Sequence, residues 1–161
     1  MSNFVSLLPF YILLVPVIGL IGLFWFKKKL NHRVFTLGIL MLNLLLSMLL
    51  WFYFDNFRKG FQFVTNLRGL HFWESYDFFF LQPEFNFFAP TLGVDGFSIF
   101  FIILTNFIMI ICLLVNWEKK KHHQVFCNII LFMDFLILGV FLTLDLFFFF
   151  VFFESILIPM F

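Results

Sequence analysis

Three carboxyl side chains near the end of the chain stand where carboxyls are rare. Glu154 lies in the apolar run Leu146–Phe161, Asp134 in the run Val125–Leu144, and Asp145 between the two. An acid at the centre of a membrane-spanning helix costs about 2.5–3.5 kcal/mol on insertion scales, so such a residue marks an ion or proton pathway by default. Glu154 is nine residues past Asp145, which is about 13 Å into a helix at 1.5 Å per residue. Asp134 is nine residues before Thr143. Two antiparallel helices joined by a short turn would therefore place both acids at one depth, where reversible protonation is the chemistry they offer. The plainer readings are a neutral Glu154 bonded to a neighbouring helix, and an Asp134 that holds two helices together. Asp145 reads first as a helix N-cap or interfacial residue and only secondarily as a proton-transfer group. Pro159, five residues after Glu154, supplies no backbone N–H and so frees the carbonyl of Ser155. A freed carbonyl is tolerated where a helix faces protein or a cavity, although a packing kink explains the proline equally well.

Other polar residues carry weaker signals. Asp95, followed by Gly96 and Ser98, reads as the cap that starts a helix. His122 and His123 adjoin Lys119, Lys120 and Lys121, an interfacial cluster suited to anionic lipid headgroups or, less directly, to collecting protons. His71, Trp73 and Glu74 show no spacing of a known site. Cys112 and Cys127 fall inside apolar runs and read as small buried hydrophobes rather than a disulfide framework or metal site. No Gly-rich phosphate loop, Ser/His/Asp set, Cys/His metal spacing or internal repeat occurs, so neither a metal nor a cofactor is expected in this chain.

The elements that would position these acids follow from hydropathy. Of 161 residues, 63% are apolar and 12% charged, and the mean hydropathy is +1.08. That composition excludes a water-soluble domain, which would expose large apolar patches. A net charge of +1 with no basic stripe or tail gives no sign of nucleic-acid binding. The 32 Phe hint at an AT-rich, organellar coding genome. A spanning helix needs about 20 apolar residues, and the runs 4–26, 34–54, 96–117 and 125–144 qualify, with a fifth opening at 146 and continuing to 161. The expected fold is therefore an all-α integral membrane bundle of about five helices in a single domain, with an external loop over 55–95. The first run is too long, and lacks the basic flank, for a cleavable signal. Trp25, Trp51 and Trp117 mark span ends. The loops after the first and third spans share a side and carry seven of the ten Lys/Arg, which places that side in the mitochondrial matrix or bacterial cytoplasm and the N-terminus opposite. Within 55–95, the aromatic run from Phe72 to Phe80 is expected to pack on the membrane surface or on a neighbour.

Two segments resemble a known family. Leu92–Phe101 reads LGVDGFSIFF, and Asp145–Phe161 reads DLFFFFVFFESILIPMF. Gly93, Val94, Asp95, Gly96, Phe97 and Ser98 are similar to the entry of the third helix in subunit 4 of proton-translocating NADH dehydrogenase, respiratory complex I. Phe152, Phe153, Glu154, Leu157, Ile158, Pro159 and Met160 are similar to the signature of its fifth helix. Helix count, the long external loop and an outward N-terminus agree, while the first 90 residues agree in hydropathy alone. The resemblance implies that Glu154 is the family's essential acid, working with a Lys of a later helix and coupled to electron transfer from NADH to ubiquinone in distant subunits. It implies no redox site in this chain.

Family members carry many more helices. This chain is expected to lack an intramembrane Lys, a broken helix and a lateral helix, and to be the N-terminal part of a split subunit completed by a separate polypeptide. Its expected partners are that polypeptide, the other membrane-arm subunits of complex I, and lipids. Its expected location is the mitochondrial inner membrane with the N-terminus toward the intermembrane space, the alternative being a bacterial plasma membrane. The rival functional reading is a non-pumping structural scaffold of the same membrane arm; an independent channel or carrier is a third and weaker class.

Overall fold

Long apolar runs without charges can satisfy their backbone polar groups in lipid only by coiling into helices. The computed structural model describes residues 6–25, 32–55, 60–66, 91–118 and 123–161. Four helices are long and apolar enough to cross a membrane: α1 (Leu8–Trp25), α2 (His32–Tyr53), α3 (Gly96–Val115) and α4 (His123–Leu142). Between α2 and α3 stand two short strands, β1 (Gln62–Asn66) and β2 (Thr91–Val94), and after α4 come α5 (Leu146–Ser155) and α6 (Leu157–Met160). The chain is thus an all-α membrane bundle, with a two-stranded ribbon that hydropathy does not reveal.

Packing is antiparallel and nearest-neighbour. α1 lies on α2 and α4, α2 on α3, and α3 on α4, which closes a four-helix bundle, and α2 also touches α4. α5 lies against α4 from outside this ring, and α6 packs on both of them. Two apolar clusters fill the bundle. One, near the ribbon, joins Leu8, Ile12, Leu50, Leu92, Val94, Ile99, Ile102, Leu138 and Leu142. The other, toward the opposite end, joins Leu23, Leu40, Met109, Ile110, Leu113, Cys127, Ile130 and Leu131. Trp25 and Trp51 are exposed near helix ends, as interfacial rings should be.

The ribbon is built by local hydrogen bonding. The backbone N–H of Asp55 donates to Gln62 Oε1 (3.0 Å), and Gln62 Nε2 donates back to the Asp55 carbonyl. These bonds close the exit from α2. Gly60, at φ +116°, takes the turn that side-chain-bearing residues avoid. β1 and β2 pair antiparallel with a register irregularity between Gln62 and Thr65, and Phe63 sits there at φ +54°, as at a bulge. β2 continues onto the α4–α5 turn, where Leu92 bridges Thr143 and the Leu144 N–H donates to the Thr91 carbonyl at 2.9 Å. That pairing draws Thr143 and Leu144 out of the helix expected through 144, and α4 ends at Leu142.

The fifth expected span, 146–161, is helical over Leu146–Met160. Between α5 and α6, Ile156 keeps right-handed helical angles (φ −61°, ψ −29°) and its N–H still donates to the Phe152 carbonyl at 3.2 Å. What is lost is one backbone hydrogen bond, because Pro159 offers no N–H to the Ser155 carbonyl four residues before it. Cys112, expected to be buried, is exposed on the outside of the bundle, whereas Cys127 is buried. The aromatic run 72–80, His71, Trp73, Glu74, Lys119–Lys121 and His122 lie outside the described residues.

Candidate functional site

Gly139 decides how α5 sits. A side-chain carbon at that position would fall 2.7–2.9 Å from atoms of the Phe152 ring, so the missing side chain lets Phe152 press onto α4. Phe152 also meets Phe135 of α4 edge-on, with ring centroids 5.7 Å apart. Each residue advances about 100° around a helix, so with Phe152 turned inward, Glu154 two residues later points away from α4. Glu154 is exposed. One turn before it stand Phe150 and Val151 and one turn after it Leu157 and Ile158, all exposed. Glu154 is therefore a single carboxyl on an outward apolar stripe, one residue before the Ser155 carbonyl that Pro159 leaves without its helical donor. Ser155 Oγ donates to the Val151 carbonyl at 2.6 Å, so this hydroxyl bonds back into its own helix.

Asp134 faces the other way. It is 0% exposed, and its Oδ2 accepts from Nδ2 of Asn43 on α2 at 3.1 Å. Its Oδ1 has no partner among the described residues. Asp134 therefore ties α4 to α2 as one of its expected readings required, and it does not share a face with Glu154. The common depth foreseen for the two acids does not bring them into one pocket.

Asp145 occupies the N-cap position of α5, and its carbonyl accepts from Phe149 N–H at 2.9 Å, but its side chain makes no cap bond. The carboxylate instead accepts from the Thr91 N–H at 2.7 Å. Asp145 is thus the N-cap by position, as expected, while its side chain is taken by β2, whose first N–H lies closer to it than the helix amides do. Asp95 does cap α3, accepting from the Gly96 N–H at 2.7 Å. His123 is exposed at the start of α4, its ring 6.1 Å from that of buried His32. Among the described residues, no group of His, Cys, Asp and Glu is arranged to hold a metal ion.

Sequence reasoning missed Asn43, Ser47, Thr105 and Asn106, all buried. The signal was present, since an Asn at the centre of an otherwise apolar span is nearly as conspicuous as an acid. A search restricted to ionisable residues passes over it.

No family profile matches the chain. It is 38% identical over 153 residues to NADH-ubiquinone oxidoreductase chain 4 of Arabidopsis thaliana, a match covering 93% of this chain and 28% of that protein. It is 40% identical over 154 residues to the chain 4 protein of Chondrus crispus, covering 92% and 28% respectively, and 35% identical over 166 residues to that of Marchantia polymorpha, covering 96% and 30%. Over 92–96% of its own length the chain is similar to NADH-ubiquinone oxidoreductase chain 4 proteins, and it spans roughly 28% of the length of the relatives it matches.

Proposed function

We propose that this chain forms part of the membrane-embedded subunit 4 of NADH:ubiquinone oxidoreductase and that Glu154 is an intramembrane proton-transfer group. The observation that carries the reading is the outward placement of Glu154. A carboxyl ringed by Phe150, Val151, Leu157 and Ile158 is costly against acyl chains, so further protein covers it in the working assembly. A Lys on a covering helix supplies the chemistry: its charge favours the ionised acid when near, and its neutralisation or withdrawal favours protonation. Pro159 leaves the Ser155 carbonyl without its helical donor in the same stretch, open to water or a polar partner. The covering helices are those of the same subunit, carried by a separate chain in the split-subunit reading.

The proposed setting is the mitochondrial inner membrane, with the basic loops toward the matrix and the N-terminus toward the intermembrane space. Glu154→Gln keeps the shape and removes the charge. In the assembled complex it is expected to lower proton translocation coupled to NADH oxidation by about 10²-fold, with assembly preserved. Undiminished pumping in that variant overturns the proton role. The scaffold reading, which draws on a bundle closed without any help from Glu154, would then stand.

A further inference from the structure

A polar layer divides the two apolar clusters of the bundle. On α2, Asn43 and Ser47 lie between Leu40 of one cluster and Leu50 of the other; on α3, Thr105 and Asn106 lie between Ile102 and Met109; on α4, Asp134 lies between Leu131 and Leu138. Asn43, Asn106 and Asp134 are each 0% exposed. Much of the layer's hydrogen bonding is local. Ser47 Oγ donates to the Leu44 carbonyl at 2.7 Å, Thr105 Oγ1 to the Phe101 carbonyl at 2.7 Å, and Asn106 Nδ2 to the Ile102 carbonyl at 3.0 Å. Asn43 Nδ2 donates across to Asp134 Oδ2. Three oxygens are left without a partner among the described residues: Asn43 Oδ1, Asn106 Oδ1 and Asp134 Oδ1. α1 adds Pro16, buried between Ile12 and Leu23 of the two clusters, whose ring removes the usual donor to the Ile12 carbonyl.

Buried acceptors are almost always satisfied by protein or ordered water. No cation of the described helices stands at this level. Arg33 is ten residues along α2 from Asn43, and His123 eleven along α4 from Asp134, each about 15 Å of helix. A bound metal ion needs about six oxygens, against three free side-chain oxygens here. Water needs only two to four polar partners and brings donors to a site made of acceptors.

We propose that Asn43, Asn106 and Asp134 form an internal water-binding site, in which bound water donates to the amide oxygens and hydrogen-bonds Asp134 Oδ1, so that in its acid form Asp134 exchanges its hydrogen with the aqueous phase through that water. The site lies inside the four-helix bundle, apart from the outward face of Glu154, and does not depend on the role proposed for that residue.

The test uses the intact membrane complex. A high-resolution density map is expected to show ordered water at hydrogen-bond distance from Asp134 Oδ1. With carboxyl-labelled Asp, the C=O stretch of the acid form, assigned by its loss in Asp134→Asn, is expected to shift in D2O. Asn106→Leu, which leaves the Asn43–Asp134 bond in place, should remove a water and slow that response several-fold, while Glu154→Gln leaves the water and the band unchanged. A dry layer in the wild-type map overturns the proposal, as does a band indifferent to D2O, or a peak with cation coordination that depends on added sodium. The wild-type map decides even if the Asn106 variant fails to assemble.

Discussion

A carboxyl within a bundle and a carboxyl on its outside ask different things of their neighbours. Asp134 is held by Asn43, and removing either partner leaves a buried polar group behind. Asp134→Ala is therefore expected to destabilise the bundle by about 1–3 kcal/mol, read as a lower unfolding midpoint in detergent. Asp134→Asn keeps an acceptor for the Asn43 amide and should cost much less. A double-mutant cycle over Asn43 and Asp134 should return a coupling of about 0.6–1.7 kcal/mol, the range for interhelical hydrogen bonds in membranes; a coupling of zero would mean that the bond is not made. At this scale the sequence was half legible. It marked Glu154, Asp134 and Asp145 by type and depth. It did not reveal that Asp134 turns inward and Glu154 outward, because that depends on which side of α4 accepts α5, and Gly139 makes that choice through a contact with Phe152. The partner of Asp145 was hidden for a similar reason, since Thr91 is 54 residues away in sequence.

Among elements, the seams between α4, α5 and β2 carry the positioning. Gly139→Ala puts a methyl group into the Phe152 ring and should cost about 1–3 kcal/mol through overpacking, with α5 displaced from α4. Gly38→Ala, where no atom lies within 4 Å, is the control and should be neutral or slightly stabilising. Equal midpoints for the two variants would refute the tight seam. Asp145 fastens the second seam. In Asp145→Ala the Thr91 amide loses a charge-assisted bond of about 1.5–3 kcal/mol, and its hydrogen exchange should quicken by roughly 10–100-fold. Asp145→Asn still offers an oxygen and should stay near the wild-type rate. That ordering separates a fastening role from a titrating one, for which Asn and Ala would be equally damaging. The spans themselves were readable from hydropathy because lipid leaves an apolar run of 20 residues little choice. The ribbon was not, because β1 and β2 are short, carry no clean alternation, and owe their pairing to the helix ends that bring them together.

For the molecule as a whole, the decisive property is which ends of the helices share a side of the membrane. α1 begins, α2 ends, α3 begins and α4 ends near the ribbon, since β1 and β2 touch α1 and β2 touches α4. The far ends of the helices, at Trp25, His32, Val115 and His123, then share the other side, which the proposed orientation turns toward the matrix. Single cysteines report this directly. With Cys112 and Cys127 replaced by Ala, Gly60→Cys and Asp55→Cys sit at exposed positions on the ribbon side, and Glu118→Cys at an exposed position on the opposite side. A membrane-impermeant thiol reagent added to sealed, right-side-out vesicles is expected to label the first two and spare the third, with the pattern reversed in inverted vesicles. Labelling of Gly60→Cys and Glu118→Cys from one side would mean an even number of crossings between them in place of the single crossing of α3. The antiparallel bundle would then be wrong, and with it the shared depth of Asp134 and the outward Glu154.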